Sequence, residues 1–337
     1  RGDIAEKILR YHGENGGYLT ACDLNEFRSA VEAPLRTQFL DTDLYACGAW
    51  CQCPVLAQTL SLLDADGLRA AGHNTPAYIH QFSEALKLAF EDREIHYGDP
   101  RFVDVPLERL LSPEYAAARR ALIDTGQARV PEMPAAAGEP PPPRDTSYIC
   151  VVDKDGNAFS ATPNDVSYDT PVIPGTGMCP SSRGSQSWAD PAHPSGVAPG
   201  KRPCLTPNPA LAIRAGEFVM PFGTPGGDVQ CQAMLQVLMN ILLFGMNPQA
   251  VVEAPRFATH SFPNSFVPHD AYPGRLNLEN RIAPETREDL AARGHDVWAW
   301  PDWSPLAGAV CLIFQDLEHG ILAGAADPRR PAMAAGR

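Results

Sequence analysis

The sequence has no apolar run long enough to span a lipid bilayer and no cluster of basic residues. A membrane helix needs about 20 apolar residues in succession, whereas the longest candidate is the Leu-rich stretch 233–244. The 337 residues carry a formal net charge of −13 at pH 7, which disfavours contact with the phosphate backbone of nucleic acids. We therefore expect a folded, soluble protein with neither a membrane span nor a nucleic-acid partner.

Cysteine spacing typical of a disulfide framework or a zinc finger is also missing. The nine cysteines are odd in number and scattered, mostly in apolar or strand-like segments, which is typical of reduced, buried thiols. Cys51 and Cys53 flank Gln52, with Cys47 nearby, but no Cys/His pair at finger-like spacing follows them. The sequence therefore predicts no metal and no other cofactor, and the expected reduced thiols favour a cytoplasmic location.

Helical patterns dominate the first 125 residues. Thr20 and Asp23 have the spacing of a capping box, and Ser112 followed by Pro113 is typical of a helix start. The elements predicted here are a strand at 41–48 and helices at 54–68, 75–99 and 110–124. No signal peptide precedes them, and the opening RGDIAEKILRYH is already an amphipathic helical pattern, so we expect the true amino terminus to lie upstream.

Short strands joined by turns replace the helices after residue 146. The Asp155–Gly156 pair is typical of a tight hairpin turn, and a helix is predicted over 229–245. The predicted hairpins join 147–153 to 158–163, 210–215 to 217–223, and 309–316 to 320–327. This order of helices and then hairpins predicts an α+β fold, which we divide into regions 1–145 and 146–337.

A proline-rich linker ends directly before Thr146. Residues 124–145 have few large apolar groups, and Pro140–Pro143 cannot join a helix or a central strand. Cleavage of the Asp145–Thr146 bond would leave Thr146 with a free α-amine, whose pKa of roughly 7.7 to 8.0 suits a general base, beside its own hydroxyl. Thr146 is therefore a candidate nucleophile, and the alternative is an ordinary linker before a strand.

Two adjacent glycines lie between a predicted strand and a predicted helix. The strand ends at Phe222, and Gly226 and Gly227 precede the helix that begins near Asp228. Adjacent glycines let the backbone approach a ligand and direct N–H groups at an anion near the positive end of a helix. We predict that Gly226 and Gly227 stabilise an oxyanion, and the alternative is a flexible turn.

Several long motifs together resemble the gamma-glutamyltransferase family of N-terminal nucleophile (Ntn) hydrolases. They are DTSYICVVDKDGNAFSAT, PGKRP, GTPGGDVQ and LQVLMNILLFGMNPQAVVEAPRF in the second half, and RGDIAEKIL, GGYLTACDL, EALKLAFEDREIHYGDPRFV and LLSPEYAAARRALID in the first. The resemblance implies a four-layer αββα sandwich with two antiparallel sheets between helical layers. It also implies that the amino-terminal part of this fold is missing, because the family carries core strands and a substrate-binding arginine before the region that matches Arg1.

The resemblance also implies the chemistry. A precursor would cleave itself between Asp145 and Thr146 into a large and a small subunit, and Thr146 would then attack a small amide, most often a γ-glutamyl compound. Gly226 and Gly227 would hold the oxyanion, and water or an amine would accept the acyl group from Thr146.

Three positions depart from the family pattern where it binds the glutamyl group. Asn164 begins Asn-Asp-Val in place of a threonine-x-asparagine, and Leu205-Thr206 stands in place of a serine pair. Arg183 lies in CPSSRGSQ, where it is either a bidentate partner for a substrate carboxylate or a surface-loop arginine. We keep Asn164, Arg183 and Thr206 as candidate substrate-binding residues, in a pattern closer to the family's amidohydrolase and acylase-like branch.

The sequence is compatible with more than one function. The chain is a γ-glutamyl transferase or hydrolase, an amidohydrolase or acylase of the same mechanism for another acyl group, or a non-catalytic truncated homologue. A metal enzyme is a further alternative, which loss of activity with a chelator would indicate.

Overall fold

The computed structural model describes residues 1–140, 146–163 and 170–336. Its helices are α1 (Gly2–Glu14), α2 (Ala21–Glu26), α3 (Cys53–Leu62), α4 (Ala65–Ala71), α5 (Pro76–His96), α6 (Leu107–Leu110), α7 (Pro113–Arg120), α8 (Val229–Leu242), α9 (Pro248–Glu253) and α10 (Pro284–Ala292). Its strands are β1 (Leu35–Phe39), β2 (Thr42–Ala46), β3 (Ile149–Val152), β4 (Ala158–Ala161), β5 (Ala210–Arg214), β6 (Phe218–Gly223), β7 (Phe257–Thr259), β8 (Arg275–Glu279), β9 (Asp296–Trp300), β10 (Cys311–Asp316) and β11 (Ile321–Ala325). Among the described residues, none of the helices combines the length and the apolar character needed to cross a membrane.

The largest sheet has the strand order β1-β2-β5-β6-β10-β11 and is antiparallel throughout. The three predicted hairpins, now β3–β4, β5–β6 and β10–β11, are confirmed. The strand predicted at 41–48 is β2, and it pairs with a strand that was not predicted, β1.

Helices cover one face of this sheet, and the β3–β4 hairpin covers part of the other. Phe222 of β6 belongs to the buried core, which α3 and α8 complete. Side chains alternate along a strand, so Gly223 faces the opposite way, where a Cβ would clash with the Tyr148 ring. The α+β class is confirmed, with a helical layer, a six-stranded sheet and a two-stranded piece of a second sheet.

A three-stranded sheet, β7-β8-β9, was not predicted. Its central strand β8 is antiparallel to β7 and parallel to β9. All five residues of β8 are buried, although three of them are the polar Arg275, Asn277 and Glu279. Polar and apolar residues alternate along β8, as in a half-buried strand, but here the polar face is buried as well.

The helix predicted over 54–68 is wrong as a single element. The chain forms α3 and α4 instead, because Leu63 adopts an extended conformation between them, and this turn lets Leu62, Leu63 and Leu68 all be buried. The predicted capping residues are confirmed: Thr20 and Asp23 form the capping box of α2, and the Ser112 hydroxyl accepts the N–H of Tyr115 at the start of α7.

Candidate active site

Thr146 is buried at the entrance to β3, with 8% of its surface exposed. The next residue, Ser147, donates its N–H to the carbonyl of Pro163 at 3.1 Å. Thr146 lines a cavity of about 280 Å³ together with Pro225 and Ala309. The other half of the predicted cleavage site, Asp145, lies outside the described residues.

The turn after β6 carries the two predicted glycines. Gly226 has a φ of 140° and Gly227 a φ of 56°, both in the positive range that L side chains rarely adopt. Thr224 supports the turn from the preceding side, because its hydroxyl donates to the Pro225 carbonyl and accepts the N–H of Ala309, each at 2.7 Å. Since Pro225 lines the Thr146 cavity, the turn begins beside the predicted nucleophile.

The carbonyl groups of both glycines accept hydrogen bonds from neighbouring residues. The Gly226 carbonyl accepts the N–H of Val229 at 3.0 Å, and the Gly227 carbonyl accepts the N–H of Gln230 at 3.2 Å. A second donor to Gly227 is the side-chain amide of Gln52 at 2.8 Å, from the residue before α3. Gln52 is a residue that the sequence did not indicate.

Asp228 anchors the same turn to α5. Its carboxylate accepts a hydrogen bond from Arg93 Nη1 at 2.6 Å and another from the N–H of Ser265 at 2.8 Å. The two charged side chains are almost completely buried. A buried, paired and hydrogen-bonded carboxylate restricts the movement of the residue that follows the two glycines.

Arg183 and Thr206 come together, although the sequence placed them on separate loops. Arg183 is buried, with 8% exposure, and its Nη1 donates to Gln186 Oε1 at 2.9 Å and to Thr206 Oγ1 at 3.2 Å. Gln52 donates to the carbonyl of Thr206 at 2.8 Å, which connects this pair to Gly227. The surface-loop alternative for Arg183 is wrong, and the third candidate, Asn164, lies outside the described residues.

A second cavity of about 280 Å³ is lined by Gly226 and Gly227. It also contains His260 and Asn277, and within the part of the chain that the structure describes His260 Nε2 and Asn277 Oδ1 are buried without hydrogen-bond partners. Burial lowers the pKa of His260 to about 3, so its imidazole is neutral near pH 7. Aromatic rings complete the lining, from Phe266, Tyr272 and Trp300.

The linker before Thr146 lies against this second cavity. The hydroxyl of Tyr272 donates to the Glu139 carbonyl at 3.1 Å, and the N–H of Ala136 donates to the Ala271 carbonyl at 2.8 Å. Glu139 and Pro140 line the cavity. In the uncut chain the linker therefore occupies part of its rim.

Two groups of side chains in the described ranges bring three potential metal ligands within 4.8 Å of one another. The first consists of His80, Glu84 and His295. His80 Nδ1 and His295 Nε2 lie 2.9 Å apart, the other nitrogen of His80 is 2.7 Å from the Asp124 carbonyl, and Glu84 accepts from Lys87 at 2.6 Å. Protein groups thus already satisfy most of these ligand atoms.

The second group consists of Cys47, Cys51 and Cys53, for which the sequence predicted no metal. All nine cysteines of the chain lie in the described ranges and are free thiols. The three sulfur atoms are close because Cys47 follows β2 while Cys53 begins α3, and the intervening loop folds back on itself.

Comparison with known proteins places these features in a family. The family model described as gamma-glutamyltranspeptidase matches residues 1–337. The glutathione hydrolase-like YwrD proenzyme of Bacillus subtilis is 32% identical over 99% of this chain and 62% of its own length, and the acylase ACY 1 proenzyme of Pseudomonas sp. strain V22 is 31% identical over 96% and 55%.

A solved structure gives the same result for the fold. The cephalosporin acylase from Bacillus halodurans superposes with a TM-score of 0.86 at 31% identity, covering 99% of this chain and 58% of that protein. The chain thus spans somewhat more than half the length of the relatives it matches. The Ntn-hydrolase fold that the sequence motifs implied is confirmed, and the chain belongs to the gamma-glutamyltranspeptidase family.

Proposed function

We propose that this chain carries the nucleophile of a self-processing amidohydrolase, and that the nucleophile is Thr146. In processing, the Thr146 hydroxyl attacks the carbonyl of Asp145, the acyl group moves from nitrogen to oxygen, and water hydrolyses the resulting ester. This releases a carboxylate on Asp145 and an α-amine on Thr146.

In turnover the same hydroxyl attacks the carbonyl carbon of a small amide. Its proton passes through the α-amine of Thr146 to the leaving amine, and an ester to Thr146 Oγ remains until water or an acceptor amine removes the acyl group. The amide N–H groups of Gly226 and Gly227 stabilise the oxyanion, and the loss of one such donor typically lowers the rate about 100- to 1000-fold.

The observation that carries this proposal is the position of Thr146. It is buried at the start of a strand, directly after the linker, and it shares a cavity with Pro225 at the start of the two-glycine turn. The names of the relatives, proenzymes with hydrolase and acylase activities, support the same reaction class. Cleavage would also free the linker end near Tyr272 to leave the second cavity.

Intact-mass spectrometry of the purified chain tests the processing step. We expect two masses that match residues 1–145 and 146–337 for the wild type and a single uncut mass for Thr146→Ala. Thr146→Ser is the matched control, because it keeps a hydroxyl and an α-amine, and we expect it to be cut. Cleavage of Thr146→Ala at the same bond would show that another group acts, and an uncut wild type would leave the chain a non-catalytic homologue.

For the acyl group, the leading candidate is γ-glutamyl. The support is Arg183, whose guanidinium lies 5.4 Å from the centre of the Phe266 ring in the wall of the second cavity. A neutral, apolar acyl group is the second candidate, because Phe266, Tyr272 and Trp300 line that cavity and relatives include acylases.

Chromogenic anilides distinguish these candidates. We compare the γ-glutamyl, glutaryl and phenylacetyl anilides on the wild type and on Arg183→Ala, with Arg10→Ala, on the exposed face of α1, as control. A carboxylate contact predicts that Arg183→Ala raises KM about 10- to 100-fold for the two acidic substrates, the usual effect of losing one charge-assisted hydrogen bond. Equal increases for all three substrates would remove Arg183 from substrate binding, and turnover of the phenylacetyl anilide alone would favour the second candidate.

A further inference from the structure

Three thiols converge beside the candidate site on a short, well-supported loop. Cys47 follows β2, Cys51 lies in the loop and Cys53 is the first residue of α3. Within the loop, the N–H of Cys51 donates a hydrogen bond to the Gly48 carbonyl at 3.1 Å. It is also bonded to residues 204–206, because the N–H of Gln52 donates to the Leu205 carbonyl at 2.8 Å.

The sulfur atoms have the spacing that a single metal ion requires. All three lie within 4.8 Å of one another, and the sulfurs of Cys51 and Cys53 are 3.3 Å apart. Thiolates bound tetrahedrally to zinc at about 2.3 Å lie about 3.8 Å from each other. Small rotations of the three side chains therefore suffice to surround an ion.

The chemical environment also suits a cation. Cys51 and Cys53 are completely buried and Cys47 is half-buried, so the three sulfur atoms are largely shielded from solvent. Three adjacent thiolates repel one another unless a positive ion lies between them, and binding of such an ion releases the thiol protons.

Cys47 provides the entrance to this group of thiols. It is half-buried and lines a cavity of about 1250 Å³, with Trp50 and Arg202 also in the wall. An ion and a water molecule can reach the sulfurs from this cavity, and water can complete the coordination where the protein supplies three ligands.

We propose that Cys47, Cys51 and Cys53 form a three-thiolate site for one thiophilic metal ion of the zinc and cadmium type, with the fourth position open to solvent. The site does not take part in the reaction at Thr146, and its occupancy is measured without any turnover assay.

Metal binding here would also stabilise the two-glycine turn. Gln52 lies between two of the ligands, and its side-chain amide bridges the carbonyls of Thr206 and Gly227, each at 2.8 Å. An ion that joins Cys51 to Cys53 restricts the backbone on both sides of Gln52. We therefore expect metal to slow amide hydrogen exchange in residues 224–230 of the wild type, and unchanged exchange would contradict this coupling.

Cadmium titration of the full, reduced chain under anaerobic conditions tests the site. We expect one cadmium ion per chain by elemental analysis, with ultraviolet thiolate-to-cadmium charge-transfer absorption, and displacement of bound zinc by cadmium, because the softer ion prefers thiolate ligands. Cys47→Ser should lower the affinity at least about 100-fold, because losing a ligand costs at least as much as losing a partner outside the coordination sphere. Cys22→Ser removes an exposed thiol elsewhere and should leave the stoichiometry unchanged.

A second measurement needs no variant and so does not depend on how well Cys51 or Cys53 tolerates substitution. Alkylation of the wild type, followed by peptide mass spectrometry, should show that one equivalent of cadmium protects Cys47, which the cavity otherwise exposes. Cadmium uptake that Cys47→Ser does not weaken, or alkylation of Cys47 that cadmium does not slow, would overturn the proposal.

Discussion

At the scale of single residues, the two-glycine turn has the most specific conformational requirement near Thr146. The φ of 140° at Gly226 lies outside the regions open to L side chains, and the φ of 56° at Gly227 costs other residues about 1 to 2 kcal/mol. Space is not the obstacle, because the nearest atom to a Cβ on Gly226 would be the Cα of Gly308 at 3.6 Å. Gly226 is therefore needed for its backbone conformation and not for lack of room.

The positive φ of Gly226 predicts the effect of Gly226→Ala. The added methyl group should twist the turn away from the geometry of an oxyanion site and lower kcat/KM about 100-fold or more, the typical effect of losing one oxyanion donor, while the chain still folds. Gly216→Ala is the matched control, since Gly216 has a φ of 78° in the open turn between β5 and β6. It should lose about 1 kcal/mol of stability and keep its turnover. Wild-type kcat/KM in Gly226→Ala would contradict the oxyanion assignment.

At the scale of secondary-structure elements, α5 connects the regions on either side of the linker. Glu91 binds Arg119 of α7 at 2.8 Å and Arg129 in the linker at 2.7 Å. Two residues further along, Arg93 binds Asp228 at the start of α8. Side chains of α5 thus form ion pairs with α7, with the linker and with the candidate active site.

The ion pairs of Glu91 predict a pH dependence of stability. Hydrogen bonds from Arg129 are the main reason that the pKa of Glu91 falls to about 2, below an unfolded value of about 4.3. The ionised carboxylate therefore stabilises the fold above about pH 4.3, and this contribution is lost as the pH falls toward 2. Because about a third of the side chain is exposed, we expect Glu91→Gln to lower the free energy of unfolding by only about 1 kcal/mol at pH 7.

Urea unfolding of the wild type and of Glu91→Gln between pH 7 and pH 3 measures this contribution. The difference between the two proteins should shrink as the pH falls. The control is Glu288→Gln, at an exposed position on α10. Its free energy of unfolding should equal that of the wild type at each pH. If the difference in free energy of unfolding between wild type and Glu91→Gln stays constant with pH, the effect comes from packing or from a neutral hydrogen bond.

At the scale of the whole molecule, the β3–β4 hairpin has one apolar side that packs on the large sheet and another that is partly exposed. Its inner side packs on β6 and β10, while Ile149, Val151 and Phe159 are about half exposed on its other side. Val151 and Phe159 are direct cross-strand partners. The second sheet of the family fold is thus represented, in the described residues, by a hairpin with an apolar outer surface, as expected for strands without a covering layer.

The predictions that held were those that depend on a few neighbouring residues. The capping box of Thr20 and Asp23 and the hairpin across Asp155–Gly156 need only contacts within three or four positions, which the amino-acid types in that window specify. The long motifs around Thr146 and the two glycines were sufficient for the family, because they are contiguous in the chain. The role of Thr146 as nucleophile stays a prediction.

The sequence by itself determined the α+β class, the three predicted hairpins, the helix caps and the family. Only the tertiary structure decided that Gln52 bonds to Gly227, 175 positions away, that Arg183 is buried against Thr206, and that three cysteines meet. It also decided the sheet β7-β8-β9, where buried ion pairs such as Glu279 with Arg329 cover the polar face of β8. The physical reason is that such contacts join distant segments, so their partners are chosen by packing and charge in three dimensions and leave no periodic pattern along the chain.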